Sequence, residues 1–311
     1  MPKVSVVVPV YGVEKYIGRC LESIIAQTLS DIEIIIVNDC TPDSSMDIVH
    51  KYALKDNRIK VLSHNTNKGL MCTRKTGYSA AQGCYITFCD SDDTLPVDAI
   101  ESLYNLAIES DADIVSGDMQ LLYDEGNAKR LFMNLPYGND AESVYRALFE
   151  KKYTHNLCGK IFKCSLLQDY EYVTLPNFIN GEDGMLFYQI LQHVTDVVHL
   201  KEVVYYYYQN SSSSTHARIG DAAMAHLIDF YNYVVSIQYH NDKLNYLAVC
   251  YATDCVNEFA ICQGYARMKR IIKNRGGYQY LSFLSRIKYM TLKQNLRWYV
   301  KYIVASFQCD K

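Results

Sequence analysis

The chain has 311 residues, 49% of them hydrophobic, and a formal net charge of −3, which supplies a large core and excludes a chain disordered by composition. No apolar run approaches the roughly 18 to 20 residues of a membrane-spanning helix, and the eleven cysteines show neither a Cys-x-x-Cys pair nor a Cys/His finger spacing, which excludes a zinc finger. The start, Met1-Pro2-Lys3 followed directly by an apolar run, lacks the length and cleavage-like site of a signal peptide, so a cytoplasmic protein with reduced cysteines is expected.

Short runs rich in Val and Ile over residues 4–8, 32–37, 59–62 and 85–89 read as buried strands. Helical patterns separate them. Ile17, Leu21, Ile24 and Thr28 share one face, as do Ile48, Val49, Tyr52 and Ala53, and residues 69–81 supply a third helix of small side chains. Strands joined by helical crossovers predict a parallel sheet. Pro96, with Asp93 and Thr94 just ahead, predicts a helix over residues 96–109 with Asp93 as its cap. A strand over 114–119 follows, then helices over 141–150 and 182–194 and a strand over 203–208 that runs into the polar loop Gln209 to Ser214. A boundary near Gly220 divides the chain into residues 1–219, with halves 1–95 and 96–219, and a helical region 220–311.

That last region is electrically distinct. Residues 259–309 hold ten Lys or Arg and no Asp or Glu, a charge of +10 that leaves −13 for the remainder. Basic residues interleaved with Tyr280, Phe283, Trp298, Tyr299 and Tyr302 fit an amphipathic helix on an anionic membrane over residues 265–305. They fit equally an accessory helical domain whose aromatic residues pack inward. Nucleic acid is not expected as a partner, because no recognised binding motif accompanies the charge.

The most specific feature is Asp90-Ser91-Asp92-Asp93 at the end of the fourth strand, where an open α/β sheet holds its ligands and where carboxylates can present a divalent ion to a diphosphate. Pro9-Val10-Tyr11 ends the first strand, Asn38-Asp39-Cys40-Thr41-Pro42-Asp43 follows the second, and Asn67-Lys68-Gly69 with Arg74 precedes the fourth. Taken in order with Gly181-Glu182-Asp183-Gly184-Met185-Leu186-Phe187 and the run Tyr205 to Tyr208, these segments resemble the family 2 glycosyltransferases over roughly residues 3–216. The resemblance implies an α/β, GT-A (Rossmann-like) fold, mostly parallel with flanking helices, followed here by a C-terminal all-helical extension. It also implies an inverting enzyme.

The resemblance implies roles residue by residue. Pro9, Val10, Tyr11, Asp39, Asn67, Gly69, Arg74, Asp90 and Ser91 would bind the nucleotide-sugar, Asp90 and Asp92 would hold Mn2+ or Mg2+, and Asp183 would be the base. The chemistry of each is apt. Tyr11 offers a flat face to uracil and Asp39 an acceptor for its imide proton. Gly69 permits close backbone approach, and Arg74 carries a fixed fork of donors, although a surface ion pair is its plainer reading. Asp183 would deprotonate the acceptor hydroxyl in a single inverting displacement.

Departures from the family pattern are local. Asn38 and Cys40 flank Asp39 where an acidic residue and glycine are typical, Lys75 stands where Asn is common, and Gln209 replaces an arginine after the tyrosine run. Lys201 or Arg218 would compensate for that lost charge. His216 reads as a solvated loop residue or a further metal ligand, His155 with Asn156 as part of an acceptor pocket, and Lys160 as part of that pocket or of a solvated edge. A dehydrogenase is disfavoured because no G-x-G-x-x-G follows the first strand. The expected function is transfer of a sugar, from a UDP-sugar, to a saccharide or lipid-linked saccharide hydroxyl in surface polysaccharide synthesis, in the cytoplasm or peripherally on the inner membrane face. The alternative is a catalytically weak homologue that binds nucleotide-sugar or scaffolds an assembly.

Overall fold

In the computed structural model, which describes residues 1–123, 127–179, 181–209, 220–239 and 241–263, the first half winds as its apolar pattern predicts. Strand β1 (Val4–Val10) is flanked by two parallel neighbours, β2 (Ile32–Asn38) and β4 (Tyr85–Phe88), and β2 pairs in parallel with β3 (Ile59–Ser63). All seven residues of β1 are buried, as expected of a strand covered on both faces by crossover helices. Those helices are α1 (Ile17–Ile25), α2 (Ser45–Ala53) and α3 (Leu70–Ala80). Helix α3 lies so close to β1 that a Cβ on Gly77 would stand 2.3 Å from Val7 Cγ1, so its small residues serve approach rather than helix propensity.

Helix α4 (Ala99–Ser110) starts later than the sequence predicts, with Asp98 at its N-cap position. Asp93 is not its cap. It is fully buried and binds another strand, so its proximity in sequence to Pro96 misleads. Strand β5 (Ile114–Tyr123) continues past the predicted end, and β6 (Ala128–Leu131), α5 (Ala141–Phe149), β7 (Lys160–Lys163), α6 (Cys164–Gln168), α7 (Glu182–Ile190) and β8 (Val197–Gln209) complete the order. Helix α5 is capped by Asp140, whose carboxylate accepts from the Ser143 N–H at 3.0 Å.

The eight-stranded sheet runs β3-β2-β1-β4-β7-β5-β6, with β8 on β5. Strand β7 is antiparallel to both β4 and β5, while β8 is parallel to β5. The sheet is thus mostly parallel with an inserted reversal. A cross-strand polar network secures β8: the buried Asp118 carboxylate accepts from Arg130 and the Met133 N–H and meets His199 Nε2 at 3.1 Å, and His199 Nδ1 lies 3.1 Å from Ser116 Oγ. The cysteines from Cys20 to Cys255 are free thiols.

By internal contacts the chain divides into two units, Met1–Phe178 with Glu182–Thr215, and Ile179–Gly181 with His216–Lys311. The second contains α8 (Asp221–Ser236) and α9 (Asp242–Gln263), which meet through an edge-on contact of Tyr231 with Tyr251. Among the described residues no helix is long and apolar enough to cross a membrane. The expectations for Ser211 to Ser214, His216, Arg218 and the basic stretch 265–305 lie outside the described residues.

Candidate active site

Because β1, β2 and β4 are parallel, their carboxyl ends share one rim of the sheet. Pro9 and Val10 are buried at the end of β1, and Tyr11, just beyond, is 52% exposed. Asp39 follows β2, its N–H donating to Val10 O at 3.0 Å. Its carboxylate is buried and heavily used: Oδ1 accepts from the Lys68 N–H at 2.8 Å and meets His64 Nδ1 at 2.7 Å, while Oδ2 accepts from the Gly69 N–H at 2.8 Å. Asp39 therefore shapes the loop that carries Asn67, which is exposed, and Gly69. His64, which sequence reasoning missed, is held in turn by Thr76 Oγ1 at 2.8 Å.

Glycine is required at position 69. Its φ is +85°, and a Cβ there would stand 2.9 Å from the Asn177 backbone, whose N–H donates to Lys68 O.

The acidic turn after β4 is pinned from β8. Tyr205 Oη accepts from the Asp90 N–H at 3.1 Å and donates to Asp93 Oδ2 at 2.8 Å, and the Tyr208 N–H donates to Asp93 Oδ1 at 2.9 Å. Thr94 and Tyr206 exchange backbone hydrogen bonds. Arg19 closes the other side, donating to Asp92 O at 2.5 Å and stacking 3.6 Å over the Tyr208 ring. Ser91 is buried within this turn. Burial and the neighbouring Asp90 push the Asp92 carboxyl up, and burial with Asp92 and Asp90 carries Asp93 up to about 8.

Arg74 is 1% exposed and is not a surface ion pair. Its Nη2 donates to Asp90 Oδ1 at 2.8 Å and its Nη1 to Asp183 Oδ1. Burial opposes its charge, yet Asp183 and Asp90 hold the guanidinium well above its usual range. Asp183, in the first turn of α7, also accepts from the Leu157 N–H at Oδ2, 3.1 Å away. The structure thus brings Asp90 and Asp183 onto one side chain, which no spacing in the sequence announces. Among the described residues Glu182 Oε2 is buried without a hydrogen-bond partner, and burial with the adjacent Asp183 raises its pKa.

Lys160 is no solvated edge. It is 0% exposed, and its Nζ donates to Asn156 O at 2.5 Å beneath the rings of Tyr153 and Phe187. The flanking strands β4 and β5 enclose it, which a four-residue strand signals poorly. His155 is held down to about 4 by burial.

The donor set at the rim suits a hard divalent cation better than a soft one. Asp92 is carboxylate oxygen crowded by Asp90, and among the described residues none gives it a side-chain hydrogen bond. A cation would relieve that crowding. Among the described residues no group of three or more His, Cys, Asp or Glu is arranged to hold a metal.

A mostly parallel sheet with flanking helices and an acidic rim defines the GT-A class of fold. The family described as Glycosyl transferase family 2 matches residues 5–170, and the chain belongs to that family. It is 33% identical over 215 residues to glycosyltransferase GlyA of Streptococcus pneumoniae, covering 65% of this chain and 30% of GlyA. In seven further curated relatives the matched part is 28–54% of their length. Among solved structures, S. aureus TarS 1–349 in complex with UDP-GlcNAc superposes with a TM-score of 0.73 at 19% identity, covering 88% of this chain and 80% of that one. Mannosyltransferase PcManGT from Pyrobaculum calidifontis, in complex with GDP-Man and Mn2+, gives 0.61 at 16% identity over 99% of this chain and 86% of that one. At these identities the likeness is one of fold.

Proposed function

We propose that the protein is a metal-dependent inverting glycosyltransferase that moves a sugar from a UDP-sugar to a hydroxyl of a saccharide or lipid-linked saccharide, in bacterial surface polysaccharide synthesis. The observation that carries this reading is the Arg74 bridge between Asp90 and Asp183. A rim carboxylate on the donor side and a carboxylate from α7 become two parts of one site. Residues 1–219 would form the catalytic domain, working in the cytoplasm or at the inner membrane face, with 265–305 as the membrane-facing segment.

Tyr11 stacks on the base, and Asp39 Oδ2, which accepts one N–H from Gly69, keeps a lone pair for the imide N–H of uracil. The UDP-GlcNAc bound by TarS supports a uridine donor. Asn67 and Gly69 line the nucleotide with backbone, and Asp90 and Ser91 lie where ribose and sugar meet. Mn2+ or Mg2+, held by Asp90 and Asp92, would offset charge on the departing diphosphate. Asp183 takes the proton of the acceptor hydroxyl as its oxygen forms the bond to the anomeric carbon, the bond to the phosphate oxygen breaks, and the configuration inverts. Arg74 holds Asp183 in place.

The test is a thermal-shift series of UDP- and GDP-sugars with Mn2+, Mg2+ or EDTA, followed by turnover assays on whatever binds. UDP-sugars should raise the melting temperature only with metal, and sugar transfer or slow donor hydrolysis should follow. Metal-independent binding without turnover would refute the proposal.

A further inference from the structure

The mechanism above leaves one buried cation without a task. Lys160 opens β7, and its backbone carbonyl accepts from Thr87 Oγ1 at 2.7 Å, which places it at the junction of β4 and the second half. Its Nζ reaches Asn156 O at 2.5 Å and Asn156 Oδ1 at 3.5 Å, and the rings of Tyr153 and Phe187 stand 5.1 and 5.2 Å away. Among the described residues no carboxylate lies within ion-pair distance of it. Enclosing an ammonium in this way is unfavourable even after relaxation, and a methionine of similar length would fill the same space without that penalty. The feature that sets the place apart is what the lysine holds. Asn156 directly precedes Leu157, whose N–H binds Asp183 Oδ2.

We propose that Lys160 is a positioning residue for the base: by holding the Asn156 carbonyl it fixes the Leu157 N–H against Asp183, and so orients the carboxylate that receives the acceptor proton. The proposal rests on the glycosyl-transfer reading. Asp183 is then held from both halves of the chain, by the Arg74 side chain and by a main-chain N–H whose segment Lys160 anchors. Electrostatics run the same way. Burial pushes Lys160 down to about 7, and the Asp183 carboxylate is the first influence that opposes this.

The experiment compares wild type with Lys160→Met in kcat, donor KM, melting temperature and the melting shift produced by UDP-sugar with Mn2+. The expected result is a kcat lower by about 10²-fold, the effect of misplacing a reacting group by about 1 Å. Donor KM and the donor-induced shift should stay within about twofold of wild type, because Lys160 touches neither the acidic turn nor the loop that carries Gly69. A kcat within about threefold of wild type overturns the proposal, as does a kcat loss accompanied by a lower melting temperature and a raised donor KM, which a merely structural lysine would give. Should Lys160→Met fail to fold, Lys160→Arg keeps the charge in a shape that misfits the Asn156 carbonyl. A lowered kcat at unchanged donor KM then supports the proposal, and wild-type kcat overturns it. If wild type itself turns over no nucleotide-sugar, the glycosyl-transfer reading has failed and this proposal falls with it.

Discussion

Asp90 and Asp183 are joined through the two arms of one guanidinium, Arg74 Nη2 meeting Asp90 Oδ1 at 2.8 Å and Nη1 meeting Asp183 Oδ1. The distance between the two carboxylates is therefore set by a rigid planar group. A single ammonium cannot span both. Arg74→Lys should lower transfer by about 10²-fold or more and destabilise the fold by about 1–3 kcal/mol. That is less than the about 3–5 kcal/mol of a fully buried broken pair, because both carboxylates reach water. Urea unfolding and initial rates measure the two effects, and a variant with wild-type rates would remove the bridge from the mechanism.

Asp183→Asn keeps the side-chain shape and loses the basic oxygen. UDP binding measured by calorimetry should persist, while transfer should fall by about 10²–10⁴-fold, the range of general-base contributions. Robust transfer by this variant would exclude Asp183 as the base.

Tyr205→Phe removes a buried hydroxyl that serves both the Asp90 N–H and the buried Asp93 Oδ2. The orphaned groups should cost about 1–3 kcal/mol, read as a lower urea midpoint. The acidic turn should also loosen, so the melting shift given by UDP with Mn2+ should shrink. An unchanged midpoint would mean that the turn is held by its other contacts alone.

Burial keeps His155 neutral down to about 4, against an ordinary value of 6.5. Between those values the unfolded chain binds a proton that the folded chain refuses, so this residue makes stability fall as pH drops through the window. In urea midpoints at pH 7, 5.5 and 4.5, His155→Gln should lose less stability on acidification than wild type. Parallel acid profiles for the two proteins would contradict this.

The sequence made the first half legible because β1, β2 and β4 are buried on both faces and carry mainly Val, Ile and aromatic residues, and because the edge strand β3 still opens on a buried Ile59. The rim residues follow from strand ends, and Tyr11, Asp39, Gly69 and Asp90 stand at or just beyond them. The second half was harder. Strand β7 has only Ile161 and Phe162 as an apolar signal, β6 is mostly exposed, and the polar Lys201-Glu202 hid the first part of β8. Side-chain partners were least visible. Asp93 reads as a local cap and is claimed by Tyr205 and Tyr208, Arg74 reads as a donor contact or a surface ion pair and is buried between two carboxylates, and Lys160 reads as pocket lining or a solvated edge and is fully enclosed. Each depends on a neighbour from a distant segment, which periodicity does not encode.

The reversed strand β7 has a consequence for how such a protein can diversify. Because it runs against β4, the segment entering it arrives beside the acidic turn, and its starting point is clamped by Thr87 and by Lys160 whatever the preceding chain does. On the proposed reading, insertions or deletions upstream, between β5 and Thr154, would change the acceptor side while the acidic turn and Asp183 stay where they are. Specificity would then change through β6, α5 and their connections, without rebuilding the rim that carries Asp90 and Asp92.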